Sequence, residues 1–173
     1  RYTVHHRYQQ LDSTYNTVDV TETGTTDTTV TAPLRSQTGY VDPTTEQVTI
    51  LGDGSAEVTY TYNRETYTFA IGDHVTSTLA PGTYMYGTTI TVTADTRQGY
   101  TFTEWENGVT TASRVIVLTS DITAVATYSN NTDTPYTVNH YKQQLDGTYP
   151  SVADDTDSLT GTTEASVTPA TNT

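Results

Sequence analysis

Four histidines are the side chains of this chain best suited to acid–base or metal chemistry near neutral pH: His5, His6, His74 and His140. His5 and His6 are adjacent, and neighbouring side chains of a strand point to opposite faces, so the two cannot hold one metal ion. His6 and His140 occupy the same position in two similar stretches of sequence. We expect each to be a rim histidine with a satisfied hydrogen bond, and a metal-binding or pH-sensing role is the alternative.

The densest group of carboxylates lies at residues 154–157, with Glu164 nearby. Hard oxygen ligands at loop spacing suit Ca²⁺, but Ser158 and Thr160 stand where an EF-hand loop needs a ligand and a glycine. A solvated acidic loop is the first interpretation of this group, and a calcium site is the alternative. No serine lies in a Gly-x-Ser-x-Gly turn, and no lysine completes a phosphate loop at residues 52–55. The sequence therefore predicts no catalytic residue, no metal ligand and no cofactor.

Aromatic side chains offer a different kind of site, because sugars stack on exposed aromatic rings. The candidates for such a glycan platform are Tyr84, Tyr86, Tyr100 and Trp105. Packing into the core is the competing interpretation for these residues, and we assign Tyr60 and Tyr62 to the core in the same way.

Repeated segments must position all of these side chains. Residues 2–15 and 136–149 are identical at ten of fourteen positions without a gap. A third segment opens with Tyr67-Thr-Phe, and the pairs Gly39-Tyr40 and Gly99-Tyr100 each precede a closing strand, expected at residues 56–62 and 122–128. We therefore predict module A over residues 1–64, module B over 65–130, a linker over 131–135 and a truncated copy, module A′, over 136–173.

Composition predicts that these modules are built from strands. Threonine accounts for 44 of the 173 residues and tyrosine for 14, which favours strands over helices. Residues alternate between apolar and polar along several stretches, as at 2–9, 56–63 and 89–94, so each strand has one buried and one exposed face. Asp-Gly turns at residues 51–55 and 145–148 are expected to close hairpins. The predicted fold class is mainly β, as small modules with little helix in an elongated tandem array.

Charge limits the partners. The formal net charge is −13 with one lysine, so phosphates and anionic lipids are repelled, and we expect neither nucleic acid nor membrane contact. The chain has no cysteine, which is common in secreted proteins of Gram-positive type.

The motifs resemble repeats of Gram-positive surface proteins. Module A, with Tyr-Thr-Val-His-His at residues 2–6, its Gly39-Tyr40 pair and its closing strand, is similar to the mucin-binding-protein (MucBP) repeat. Module B is similar to the divergent internalin-B-type (InlB) B-repeat through residues 82–87, 90–94 and 99–105. The resemblance implies β-grasp-like modules in an extracellular stalk attached to the cell wall, and it carries no catalytic residues.

The function predicted on these grounds is a non-catalytic stalk or spacer that projects an adhesive domain. In the alternative, the modules themselves bind mucin glycans or a host surface protein as a multivalent adhesin. An enzyme is the least favoured class. We expect a monomer in which the truncated copy is able to exchange strands with a second molecule. The sequence does not decide whether a Thr-Gln ester cross-link forms.

Overall fold

A computed structural model of the chain describes residues 1–170, and within that range it contains strands and no helix. This confirms the predicted mainly β fold class. The last three residues of the truncated copy predicted over 136–173 lie outside the described range. Six strands lie in module A: β1 Tyr2–Gln9, β2 Tyr15–Glu22, β3 Thr29–Thr31, β4 Tyr40–Val41, β5 Gln47–Thr49 and β6 Glu57–Arg64. Later strands are β7 Thr66–Ile71, β8 Val75–Ser77, β9 Gly82–Met85, β10 Thr89–Ala94, β11 Tyr100–Trp105, β12 Ser113–Val117, β13 Ile122–Ala124, β14 Ala126–Asn130, β15 Thr134–His140 and β16 Asp155–Gly161.

The main sheet of module A has the strand order β2-β1-β6-β4. Its first strand, β1, pairs antiparallel with β2 and parallel with the closing strand β6. A separate ladder joins β3 to β5. The two central strands alternate strictly between buried and more exposed residues, as the sequence predicts, because each presents one face to the core.

Tyrosines fill much of the core of module A. Tyr60 and Tyr62 are at most 1% exposed, which confirms their assignment to the core, and the ring of Tyr8 stacks on Tyr62 with centroids 4.6 Å apart. Their hydroxyls bind backbone groups of the irregular stretches on either side of β4. The Tyr60 hydroxyl donates to the Ala32 carbonyl at 2.9 Å and accepts the Glu46 N–H at 2.8 Å. The aromatic core therefore also satisfies backbone groups that have no ladder partner.

Module B repeats this strand arrangement. Its first strand, β7, lies between β9, which is antiparallel to it, and β13, which is parallel, in the order β13-β7-β9. The strand after Gly99 pairs with the closing segment as β11-β14, just as β4 pairs with the end of β6. A third sheet has the order β12-β10-β8. In both modules the first strand thus lies between an antiparallel strand, β2 or β9, and the parallel closing strand, although in module B the strand β8 comes before β9 in the chain.

Two details of the prediction are wrong. The closing strand expected at residues 122–128 is interrupted at Val125, whose N–H binds the Glu106 carboxylate at 3.0 Å and whose carbonyl accepts the Glu106 N–H. The turn at residues 51–55 does not close a hairpin, because the strands it joins, β5 and β6, pair with other strands. Its Gly54 still has the positive φ of 77° that the Asp-Gly pair predicts.

Module A′ contributes one antiparallel pair, β15-β16, which corresponds to β1-β2. Thr134 and Pro135, placed in the linker by the sequence, belong to β15. Contacts divide the chain into two compact units that do not follow the module boundaries. One comprises Arg1–Ile71, Ser77–Val92 and Arg114–Ala124, and the other comprises Gly72–Thr76, Thr93–Ser113 and the described residues from 125 onward.

Candidate functional site

An open groove of about 560 Å³ lies beside Tyr84 in the first unit. The strand β9 places Tyr84 opposite Tyr67 of β7, and its hydroxyl donates to the Ala80 carbonyl at 2.7 Å. The walls combine apolar and hydroxyl side chains, which is the composition that suits a sugar ring. The lining residues are Leu11, Thr66, Leu79, Thr83, Tyr84, Met85, Thr88 and Thr89.

Tyr86 has a different environment from Tyr84. Its ring lies against Gly39, where a Cβ atom would overlap it, and its centroid is 6.4 Å from that of Tyr67. The Tyr86 carbonyl accepts a hydrogen bond from Arg64 at 2.9 Å. The ring is therefore half-buried between the two modules, and Tyr86 does not line the groove beside Tyr84.

A second groove, of about 540 Å³, lies beside Tyr100 in the second unit. The guanidinium of Arg97 is 3.9 Å from the centroid of the Tyr100 ring and 5.1 Å from that of Tyr128. A hydrogen bond to the Glu164 carboxylate raises the pKa of Tyr100. The groove is also lined by His74, so it carries two basic side chains beside aromatic rings.

Sequence reasoning missed Arg97, and it named His74 only as one of the four histidines, without a place in a groove. The signal was present in the order Arg97-Gln-Gly-Tyr100, because the Tyr100 N–H donates to the Arg97 carbonyl across the turn at 3.2 Å. This turn brings the guanidinium back over the ring that follows it.

Trp105 is 1% exposed, and its indole N–H donates to the Thr111 carbonyl at 2.9 Å. Its ring packs on Phe102 with centroids 5.5 Å apart. Neither face of the indole is open to a sugar in this conformation. Tyr84, Tyr86 and Tyr100 are the half-buried members of the predicted glycan platform.

The histidines differ sharply in environment. His6 is 1% exposed, so its placement at a rim is wrong, because the alternation of β1 points it into the core beside Tyr62. Its Nδ1 is 3.0 Å from the Tyr62 hydroxyl, and burial lowers the pKa of His6. His5 lies on the other face, where a hydrogen bond to Asp19 at 2.7 Å raises its pKa. His140 binds the Asp157 carboxylate at 3.0 Å.

The acidic residues at 154–157 take part in local hydrogen bonds. The Asp154 carboxylate accepts the Lys142 N–H at 2.6 Å, and Asp157 is bound to His140 as described. Among residues 1–170, no group of three or more histidine or carboxylate side chains lies close enough together to hold a metal ion. The same range contains no helix with the length and apolarity needed to cross a membrane.

Comparison with protein families finds a match for the second module. Residues 66–132 match the divergent InlB B-repeat domain. This supports the B-repeat resemblance, and domains of this family are typical of bacterial surface proteins. The MucBP resemblance of module A is not shown by this comparison and stays a prediction. No curated protein and no solved structure matches the chain.

Proposed function

We propose that this chain is a spacer segment of an extracellular, cell-wall-attached bacterial protein, and that it carries an adhesive domain away from the cell. The observation that supports this most strongly is the recurrence of one strand arrangement in modules A and B, with the first strand between an antiparallel strand, β2 or β9, and the parallel closing strand. A single fold used repeatedly along a chain suits reach better than it suits chemistry. The role is non-catalytic.

The modular boundaries are part of the same proposal. Residues 1–64 form a MucBP-like module, 65–130 a B-repeat-like module and 136–173 a partial copy of the first. Of the linker predicted at 131–135, residues 131–133 remain outside the strands, because β15 begins at Thr134. The parallel pairing of first and closing strands supports a β-grasp-like description of the complete modules. The segment is a monomer, and strand exchange with a second molecule would occur at the edge of β15 that pairs with no strand among residues 1–170.

The experiment that tests the spacer role places the segment between a surface and a reporter domain that binds an immobilised receptor across a gap. We expect capture to exceed that obtained with a flexible Gly/Ser linker of equal residue number. Equal capture by the two spacers contradicts the proposal, because an unstructured chain would then serve as well.

A multivalent adhesin is the second candidate, and the two grooves beside Tyr84 and Tyr100 favour it. Arg97 would give the second groove a positive group for a sugar carboxylate, although a net charge of −13 repels sialylated and sulfated mucins at low salt. A glycan array and a mucin pull-down decide between the two functions. Saturable binding that is lost in Y84A or R97Q, and kept in a variant of the exposed Tyr149, would support the adhesin.

A further inference from the structure

The junction between modules A and B is held by three hydrogen bonds within the first unit. Just after the closing strand, the Glu65 N–H donates to the Gly39 carbonyl at 2.9 Å. The Glu65 carbonyl accepts the Tyr86 N–H at 2.8 Å, and the Arg64 side chain donates to the Tyr86 carbonyl at 2.9 Å. Gly39 has a φ of 83° and faces the Tyr86 side chain. The turn at Gly39 of module A therefore binds one residue, Tyr86, of module B.

The junction between modules B and A′ repeats these bonds within the second unit. The Asn131 N–H donates to the Gly99 carbonyl at 2.8 Å, and the Asn131 carbonyl accepts the Thr163 N–H at 2.8 Å. The side chain of Asn130 donates to the Thr163 carbonyl at 2.8 Å. Gly99 has a φ of 80°, and a Cβ atom there would come within 2.7 Å of the Thr163 hydroxyl. We call this shared arrangement the module joint.

The residues that bind at the two joints, Tyr86 and Thr163, lie at the same position in a turn of their own modules. Tyr86 and Thr163 each precede a residue with positive φ, at 85° in Gly87 and 63° in Glu164. An N–H···O=C bond spans each turn, from Thr88 to Met85 and from Ala165 to Thr162, at 3.0 Å in both. Tyr86 and Thr163 therefore lie in the same kind of turn, although their side chains differ.

Module A contains the same turn. Thr26 precedes Asp27, which has a φ of 62°, and the Thr28 N–H donates to the Thr25 carbonyl at 3.2 Å. Residues 23–27 read Thr-Gly-Thr-Thr-Asp, and residues 160–164 read Thr-Gly-Thr-Thr-Glu. Thr26 is exposed, and its N–H meets no acceptor within residues 1–170. The turn at Thr26 thus has the same form as the turns at Tyr86 and Thr163, but no Gly-Tyr turn of another module binds it among residues 1–170.

We propose that the turn around Thr26 is a docking surface for the closing end of a B-type module placed before module A. The partner supplies a Gly-Tyr turn and the residue after its last strand, as Gly99 and Asn131 do for Thr163. A B-type end fits better than an A-type end because module B already receives a turn that shares Thr-Gly-Thr-Thr with module A. The inference holds for a spacer and for an adhesin, since it concerns how modules join.

Amide hydrogen exchange, measured by NMR on the full chain, tests the joint itself. We expect the Tyr86 and Thr163 amides to exchange about 100-fold more slowly than the Thr26 amide. G39A should remove the protection at Tyr86. G54A is the matched control, because Gly54 has a similar φ of 77° and nothing within 4 Å of an added Cβ. Fast exchange at Tyr86 and Thr163 in the unaltered chain, or equal effects of the two variants, would overturn the proposal.

Two further chains test the docking surface of module A. In the triple variant E164D/A165T/S166T, module A′ carries the turn sequence of module A, and the Thr163 amide should keep its protection. In an extended chain, a second copy of residues 66–135 replaces Arg1, and the Thr26 amide should slow to the rate of Thr163. Substituting the added copy of Gly99 by alanine should restore fast exchange, whereas the same change at its Gly108, which also has nothing within 4 Å, should not. Loss of protection in the triple variant, or an unprotected Thr26 in the extended chain, refutes the assignment.

Discussion

Lowering the pH below 6.5 should destabilise module A through His6. The Tyr62 hydroxyl accepts the Arg35 N–H at 2.8 Å, so its own proton is directed to Nδ1 of His6 at 3.0 Å. This arrangement assigns the proton of the neutral ring to Nε2, which is buried and has no hydrogen-bond partner in the part of the chain that the structure describes. A second proton at Nδ1 would turn the Tyr62 hydroxyl proton away from the ring and bury a positive charge, while Nε2–H would still have no acceptor among the described residues.

The magnitude follows from proton linkage. Burial holds the pKa of His6 in the folded protein below the ordinary value of 6.5, so the unfolded chain takes up the proton first. Stability is therefore complete above pH 6.5 and is lost as the pH falls toward the folded-state pKa. The limiting loss is about 1.4 kcal/mol per pH unit. Between pH 6.5 and 5.5 it is about 1 kcal/mol if the folded-state pKa lies below that range, because the histidine of the unfolded chain is only half protonated at pH 6.5.

The stability that His5 contributes depends on pH with the opposite sign. Its hydrogen bond to Asp19 raises its pKa, so its contribution is complete below pH 6.5 and is lost as the pH rises through the raised pKa. The His5 side chain is 25% exposed and that of Asp19 is 62% exposed, so solvent screening weakens this contribution. The unaltered chain reports the sum of the two effects, and H5Q isolates that of His6.

The assay is urea unfolding followed by near-ultraviolet circular dichroism of the tyrosines at pH 5.5, 6.5 and 7.5. Between pH 5.5 and 6.5 the free energy of unfolding of H5Q should rise with pH, and H5Q/H6F should show almost no slope. A ¹⁵N NMR titration of the unaltered chain requires no variant and should show His6 neutral, with the proton on Nε2, at pH 6.5. A His6 that titrates at or above pH 6.5, or equal slopes in H5Q and H5Q/H6F, would refute the reasoning.

Three other changes test the packing and the turns. Y60F removes the hydroxyl that binds the buried Ala32 carbonyl and the part-buried Glu46 N–H, and it should lower the free energy of unfolding by about 1–3 kcal/mol in urea titrations. Y15F removes an exposed hydrogen bond to Asn63 and should change the free energy of unfolding by less than about 0.5 kcal/mol. Trp105 should fluoresce at short wavelength and resist quenching by acrylamide, and a red-shifted, quenchable emission would contradict its burial. W105A should lower the free energy of unfolding by about 3–5 kcal/mol in the same titrations. S13G relieves a positive φ of 67° and should raise the melting temperature, by a gain of about 1 kcal/mol, while S55G should not.

The strands of these modules could be predicted because their signal is local. Tyr2, Val4, Val58 and Tyr60 are buried at alternate positions, and that period is readable without knowledge of partners. Pairing is not local, which explains the error at residues 51–55. An Asp-Gly turn reports its own backbone angles, and whether its flanking strands pair with each other depends on the whole sheet.

The candidate sites were less predictable for a related reason. Exposure of an aromatic ring depends on what covers it, so Tyr84 and Trp105 look alike in the sequence although only Trp105 is fully buried. The groove beside Tyr100 depends on Arg97, whose position over the ring is set by a turn. The module joint left almost no trace in the sequence, because most of its bonds join backbone groups, and only the glycines at 39 and 99 mark it.

The parallel pairing of β1 with β6 determines how module A would respond to a pulling force. Its first strand enters at one end of the ladder and its closing strand leaves at the other, so tension along the chain slides the two strands past each other. The hydrogen bonds across six residue pairs, from Thr3↔Glu57 to Tyr8↔Tyr62, then share the load and must rupture together instead of unzipping in turn. An organism held in flowing liquid by such a tether would gain resistance to shear from the order of its strands.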